Sequence, residues 1–359
     1  MERALSAPGK LFVSGEYAVL WGGVARVAAV APRTGAYVRR RVDARVHVCL
    51  EEGTLAGSVT PRGVAWAREV PAGFSFVART LDEALRAHGR ASPGFDFAVA
   101  PSAVGPNGQK LGMGGSACAT VLAAEAARYV LEERFDALKL ALVSHSLGQG
   151  GKGSGGDVAA SFAGGVLRYR RYDVATLAEA SNGSRLRAAL AEAPAVDVWR
   201  LPTPRVSMAY AFTGESASTR VLIGQVEARL EEAGRRAFVS RSDALGQAIE
   251  DGLGGSDFQA FSEAVAAQHA LLLELGPLET EGIRRILAIA ASYGCAGKQS
   301  GAGGGDGCIL FAPDDAKRAE LCQGLAARGF HTLTLSPEAG VRGEAQLDPR
   351  LRTWVDALV

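Results

Sequence analysis

The sequence predicts an α+β fold in two units, on three observations. Strand-like and helix-like segments alternate in both halves of the chain. Glycine, at 45 of 359 residues, is concentrated in three clusters, 105–115, 148–156 and 301–307, each bordering an apolar segment. The chain exceeds the ~250–300 residues at which one core stops growing, and a polar stretch at 171–200 with the turn signal Ser181-Asn182-Gly183-Ser184 interrupts it. The units are set at 1–190 and 191–359, with the boundary falling in 185–200.

Taken in order, residues 11–20 read as a strand. The 74–88 segment reads as a helix with Val77, Ala78, Leu81, Ala84 and Leu85 on one face. Residues 116–132 are alanine-rich and helical, and they start directly after a glycine-rich turn. A further helix over 138–147 stops at Gly148, and the small apolar residues of 158–166 fit either state. Val206, Met208, Tyr210 and Phe212 alternate with small or polar neighbours, the period of a half-buried strand. Helices follow over 216–234, 241–252, 257–274 and 280–293, then a strand at 308–312, a helix at 314–328 and a strand at 330–335.

Composition excludes several classes. Apolar residues make up 48% and charged residues 21%, with a net charge of +1, so disorder and a nucleic-acid footprint are both disfavoured. The short run Arg39-Arg40-Arg41 is expected to be a solvated strand edge. Five cysteines, an odd number with no C-x-x-C pair, argue against a disulfide framework and a zinc site, and fit reduced, mostly buried thiols in the cytoplasm. The first residues lack a signal-peptide pattern and no uncharged apolar run approaches a membrane span, so a soluble, unexported protein is expected.

The sharpest motif is Lys110-Leu111-Gly112-Met113-Gly114-Gly115-Ser116-Ala117. It ends at a predicted helix N-terminus, where free N–H groups and the helix dipole favour an anion. It is not a Walker A loop, and alone it is matched by a plain turn with an N-cap serine. Two further segments change the weighting: Ala7-Pro8-Gly9-Lys10 through Gly15-Glu16-Tyr17-Ala18-Val19 near the start, and Lys298-Gln299-Ser300-Gly301-Ala302-Gly303-Gly304-Gly305-Asp306 near the end.

Together the three segments resemble the three motifs of the GHMP kinase superfamily, in order and over almost the whole chain. Within it, Tyr17, Lys110, the Gly153-Ser154-Gly155-Gly156-Asp157-Val158-Ala159 segment and Gly214-Glu215-Ser216-Ala217-Ser218-Thr219 are most similar to the phosphomevalonate kinases. The resemblance implies an N-terminal α+β domain, a C-terminal ferredoxin-like domain and an active site in the cleft between them. It implies ATP and Mg²⁺, with Gly112, Gly114, Gly115, Ser116 and Ala117 around the phosphates and Ser116 on the metal. Lys10 and Asp157 become the catalytic pair. The acceptor becomes 5-phosphomevalonate, converted to 5-diphosphomevalonate in the mevalonate route to isoprenoids. Glu16, Tyr17, Lys110, Ser154, Ser218, Thr219, Arg220, Ser300, Gly301, Ala302 and Gly303 are then expected around the substrate. No nucleic-acid or membrane partner is implied, and the assembly is expected to be a monomer or homodimer.

Departures are visible. Gly115 stands where the family usually has a first serine, Gly156 where an aromatic is usual, and Lys152 lies one residue nearer the aspartate than the family lysine. The acceptor phosphate already carries about −1.5 to −2 charges, so Asp157 is read as positioning Lys10 or the metal rather than abstracting a proton. A doubly anionic acceptor needs cations, for which Lys10, Lys110, Lys152, Arg220 and Lys298 are candidates, with Ser216, Ser218 and Thr219 as hydroxyl donors. Of five histidines only His145 is near a motif, and a packing or capping role is expected for it. The competing readings are mevalonate kinase or another GHMP small-molecule kinase, the diphosphomevalonate decarboxylase, and a non-catalytic relative.

Overall fold

The structure, a computed structural model, describes residues 2–101, 104–105, 108–181, 185–215, 219–254, 257–346 and 348–358, with Thr219 and Arg220 described by their backbone alone. The first sheet contains β1 (Glu2–Ser14), β2 (Val24–Arg40), β3 (Arg45–Leu50), β4 (Gly53–Thr60), β5 (Gly63–Trp66), β6 (Phe95–Val99), β7 (Val166–Arg170) and β8 (Val198–Arg200). A second sheet contains β9 (Ser207–Phe212), β10 (Ala296–Gln299), β11 (Gly307–Ala312) and β12 (His331–Leu335). The chain then returns, and β13 (Arg342–Glu344) pairs with β1 at the edge of the first sheet. Sheet membership thus changes between Arg200 and Ser207, and again after Leu335.

The long strand β2 is the spine of the first sheet. It pairs with β1 over most of its length, with β6 through its C-terminal part and with β7 through its N-terminal part. The order is β13-β1-β2-β6-β3-β4-β5, with β7 and β8 branching from β2, and only the β3–β6 pairing is parallel. The second sheet runs β10-β11-β9-β12 and is antiparallel throughout.

Twelve helices are present among the described residues: α1 (Ser75–His88), α2 (Gly115–Val130), α3 (Ala137–Gly148), α4 (Gly156–Ala163), α5 (Ala175–Ser181), α6 (Leu186–Glu192), α7 (Thr219–Glu227), α8 (Glu232–Gly254), α9 (Phe258–Leu273), α10 (Glu281–Ser292), α11 (Asp315–Ala326) and α12 (Pro349–Asp356). The predicted apolar face of α1 is buried, and Gly89 ends the helix in the left-handed region at φ 66°. Carboxylates of Asp136, Asp257 and Asp314 cap α3, α9 and α11. In the second unit β9, α7 to α10, β10, β11, α11 and β12 give the β-α-β-β-α-β connectivity and strand order of a ferredoxin-like sheet.

Two cores meet along β1. Leu5 and Ala7 pack with α1, α2 and α3, whereas Leu11 and Val13 pack with Met208, Tyr210 and Phe212 of the second sheet. The changeover falls at Gly9 and Lys10.

Several sequence expectations need correction. The strand expected at 11–20 starts at Glu2 and ends at Ser14, where Gly15 (φ 85°) and Tyr17 (φ 62°) turn the chain into a short 3-10 turn, Ala18–Trp21. Strands β2 and β6 escaped periodicity because much of their length is covered on both faces; Val24 to Val30 and Phe95 to Val99 are all buried. The ambiguous 158–166 segment divides into the end of α4 and the start of β7, with Gly164 and Gly165 both at positive φ between them. The helix expected over 216–234 ends at Glu227 within the described part, and the one expected at 241–252 lies inside α8, which no glycine or proline interrupts between Arg235 and Asp243. Arg39 and Arg41 are not a merely solvated edge: both pair with the fully buried Asp96, which also meets His47. Cys49, Cys118, Cys295 and Cys308 are buried and all five thiols are free. Among the described residues no helix is long and apolar enough to cross a membrane.

Candidate active site

A cleft of about 560 Å³ lies where the two sheets and the N-termini of α2 and α4 meet, a size typical of small-molecule sites. One wall comes from the phosphate-loop side. The β1–β2 register shifts between Pro8 and Gly9, and such an irregularity re-aims the next side chain. Lys10 donates its backbone N–H to Met113 O at 2.9 Å, and its Nζ reaches Gly112 O at 3.3 Å. The phosphate loop is held from the other sheet as well, since Tyr210 OH donates to Leu111 O at 2.6 Å.

Two glycines in the loop are dictated by geometry. Gly114 (φ 84°) occupies the N-cap position of α2, and a Cβ there would sit 3.0 Å from Lys10 Cγ. Gly112 (φ 70°) would put a Cβ 2.4 Å from the Asp306 carboxyl carbon. Glycine therefore lets both Lys10 and Asp306 close on the loop. No side chain caps α2, and Gly115 and Ser116 in its first turn line the cleft. Ser116 is thus not the N-cap serine of a plain turn; its Oγ lies 3.1 Å from His145 Nε2.

Asp157 sits in the first turn of α4 and lines the cleft. Its Oδ1 accepts the Val158 N–H at 2.9 Å, and its Oδ2 lies 3.9 Å from His145 Nε2. His145 is only 1% exposed, so the expected packing histidine in fact contacts two polar residues of the cleft.

The opposite wall is a junction between the first and third motifs. Lys298, fully buried, donates to the Glu16 carboxylate and to Gln299 O. Tyr17 OH donates to Ala302 O at 2.8 Å, and burial beside Glu16 raises its phenol well above the ordinary range. Ser300 Oγ accepts the Phe12 N–H at 2.8 Å and donates to Phe12 O at 3.2 Å.

The expected residues that line the cleft are Lys10, Glu16, Tyr17, Lys110, Gly112, Gly114, Gly115, Ser116, Ser154, Asp157, Ser300, Gly301 and Ala302. Ala117 is buried in α2 and Gly303 packs over Leu278 and Gln299; neither lines it. Lys298 is committed to Glu16 and is not an available cation. Lys152 lines the cleft with its Nζ 4.0 Å from Glu227. Ser216 and Ser218 lie outside the described residues, and Thr219 and Arg220 open α7. Sequence reasoning passed over Phe76, Gln149 and Asp306, which also line the cleft. Asp306 had a signal, since it closes the third motif, whereas Phe76 looked like an ordinary helix residue.

The family profile described as GHMP kinases N terminal domain matches residues 75–165, and that described as GHMP kinases C terminal matches residues 247–331. The chain belongs to the GHMP kinases and is an ATP-dependent kinase by family. It is 30% identical to the phosphomevalonate kinase of Streptomyces sp. (strain CL190), over 92% of this chain and 96% of that protein. Two solved structures share the fold. The Lin0012 protein from Listeria innocua has TM-score 0.86 at 24% identity, covering 96% of this chain and 100% of its own. Streptococcus pneumoniae phosphomevalonate kinase, in complex with phosphomevalonate and AMPPNP, has TM-score 0.78 at 20% identity, covering 93% and 99%.

Proposed function

We propose that this chain transfers the γ-phosphoryl group of ATP to 5-phosphomevalonate, giving 5-diphosphomevalonate and ADP, in the cytoplasm. The observation that carries this reading is the convergence of Lys10, Ser116 and Asp157 on one cleft, in a chain related over nearly its whole length to a phosphomevalonate kinase.

Phosphoryl transfer asks a protein chiefly to position its reactants and stabilise spreading charge. The loop from Gly112 to Ser116 offers backbone N–H groups and a helix N-terminus to the triphosphate. Lys10, lying across that loop, stabilises charge on the transferred group. Lys110 and Lys152, both on the cleft, supply positive charge for a phosphorylated acceptor.

The donor set fits Mg²⁺ carried in by the nucleotide. That ion keeps several waters and takes one or two protein oxygens; the cleft presents Ser116 Oγ and the Asp157 carboxylate. Among the described residues no group of three or more His, Cys, Asp or Glu could cage a resident metal. When bound, the ion neutralises phosphate charge, and Ser116 with Asp157 would hold it. Asp157 otherwise orients Lys10, since a phosphate acceptor arrives ionised. For the larger units we place the first change of unit between Arg200 and Ser207, beyond the expected 190/191, since β8 still pairs with β7; for the assembly we propose a monomer or homodimer.

The test is ADP release from ATP and Mg²⁺ with mevalonate, 5-phosphomevalonate or diphosphomevalonate offered separately. Turnover with 5-phosphomevalonate alone is expected, and turnover with mevalonate in its place overturns the acceptor assignment. For Asp157→Asn we expect a loss that raised pH does not relieve; relief by raised pH would identify a general base.

A further inference from the structure

His145 stands apart from the residues so far given a task. It lies in the last turn of α3, one turn before the glycine cluster that leads to Asp157, and is 1% exposed. A buried imidazole is ordinarily paired for a structural reason. Here the partners are Ser116 Oγ at 3.1 Å, in the first turn of α2, and Asp157 Oδ2 at 3.9 Å, in the first turn of α4. One ring therefore bridges the two helix N-termini that form the phosphate side of the cleft.

The ring is itself held. Phe76 of α1 stacks on it with centroids 5.0 Å apart. Gly148 makes room for that phenyl, because a Cβ there would sit 2.7 Å from Phe76 Cε1. Both polar contacts of His145 use Nε2. A serine–histidine–aspartate relay needs the two partners on opposite nitrogens, so this constellation does not pass a proton from Ser116 to Asp157. What the geometry does is fix orientation. A serine hydroxyl in a helix first turn rotates freely or bonds back to the backbone unless a partner holds it. His145 is that partner.

We infer that His145 is a positioning residue for nucleotide binding: through Nε2 it fixes the Ser116 hydroxyl, and with it the spacing of Ser116 and Asp157, for the triphosphate and its metal. The inference rests on the kinase reading above but not on the identity of the acceptor. Its role is that of an outer-shell group whose loss commonly costs about 10–100-fold in metal affinity or activity.

The measurement is the affinity of the full-length protein for a non-hydrolysable ATP analogue with Mg²⁺, by calorimetry and without acceptor, beside melting temperatures. His145→Phe retains an aromatic ring against Phe76 and removes the nitrogen, and should weaken binding about 10–100-fold. His145→Gln, whose amide reaches the place of Nε2, should restore most of the affinity; His145→Asn, whose amide reaches only the place of Nδ1, should not. Adding His145→Phe to Ser116→Ala should change affinity by less than about 3-fold, because the hydroxyl through which His145 acts is already gone. Affinity unchanged in His145→Phe, equal effects of Gln and Asn, or multiplying effects of His145→Phe and Ser116→Ala would each overturn the inference. If the phenylalanine variant fails to fold, the Gln and Asn pair decides. Wild-type protein that binds the analogue yet leaves 5-phosphomevalonate untouched removes the acceptor assignment alone. Wild-type protein that phosphorylates 5-phosphomevalonate while His145→Phe binds normally removes the His145 role alone.

Discussion

The two walls of the cleft use polar residues in opposite ways. On the phosphate-loop wall, Lys10, Ser116 and Asp157 face the cleft, and the start of α2 has no side-chain cap. On the wall built from the first and third motifs, Glu16 is paired with Lys298, Tyr17 with Ala302 O, and Ser300 with the backbone of Phe12. The first wall offers its groups to a ligand; the second largely spends them on joining the two sheets. Lining a cleft and binding its contents are therefore separate properties, and substitutions on the two walls should fail differently.

The largest effect is expected at the joining wall. Lys298→Met leaves Glu16 buried without its partner and should lower unfolding stability by about 3–5 kcal/mol, while Lys298→Met with Glu16→Leu should regain much of it. Denaturant unfolding of the three proteins reads this directly; a double variant as unstable as the single one would break the assignment of Lys298 to the joining wall. On the phosphate wall, Lys10→Met should reduce kcat about 10²–10³-fold with little change in melting temperature. A comparable loss of stability would erase the contrast between the walls.

A buried carboxylate remote from both walls gives a pH-dependent control. Burial pushes Glu83 on α1 up to about 7, and its Oε2 has no hydrogen-bond partner. Its carboxyl is uncharged in the folded protein below that pH, so the wild type loses stability as pH rises from about 4.5 through about 7. Glu83→Gln should be more stable than wild type at pH 8, by up to about 2–3 kcal/mol, and indistinguishable below pH about 4.5. Melting temperatures across that range check the sign, and catalysis at neutral pH should be unaffected. The smallest effect is expected for Tyr17→Phe, which removes one hydrogen bond of the joining wall and should cost about 1 kcal/mol of stability. If it instead raises KM for the acceptor with stability unchanged, Tyr17 belongs functionally to the offering wall.

Local sequence determined a good deal of this protein. The three glycine-rich segments identify the cleft because positive φ, close backbone approach and a helix N-terminus are requirements that a few consecutive residues express. Helices α1, α2 and α3 were legible from an apolar face, alanine content and a stopping glycine, and β9 from its alternation. What only the tertiary structure decided are relations between residues far apart in the chain. The doubly covered strands around β2 lack a periodic signal because both faces are apolar. The return of β13 to β1 joins Leu5 to Gly343, a pairing no local pattern encodes. Lys298 looked like a substrate cation and is a buried partner of Glu16; His145 looked like packing and touches Ser116 and Asp157. In each case the residue's task depends on the direction of its side chain and on what a distant segment places opposite it, and both are fixed only when the two cores close along β1.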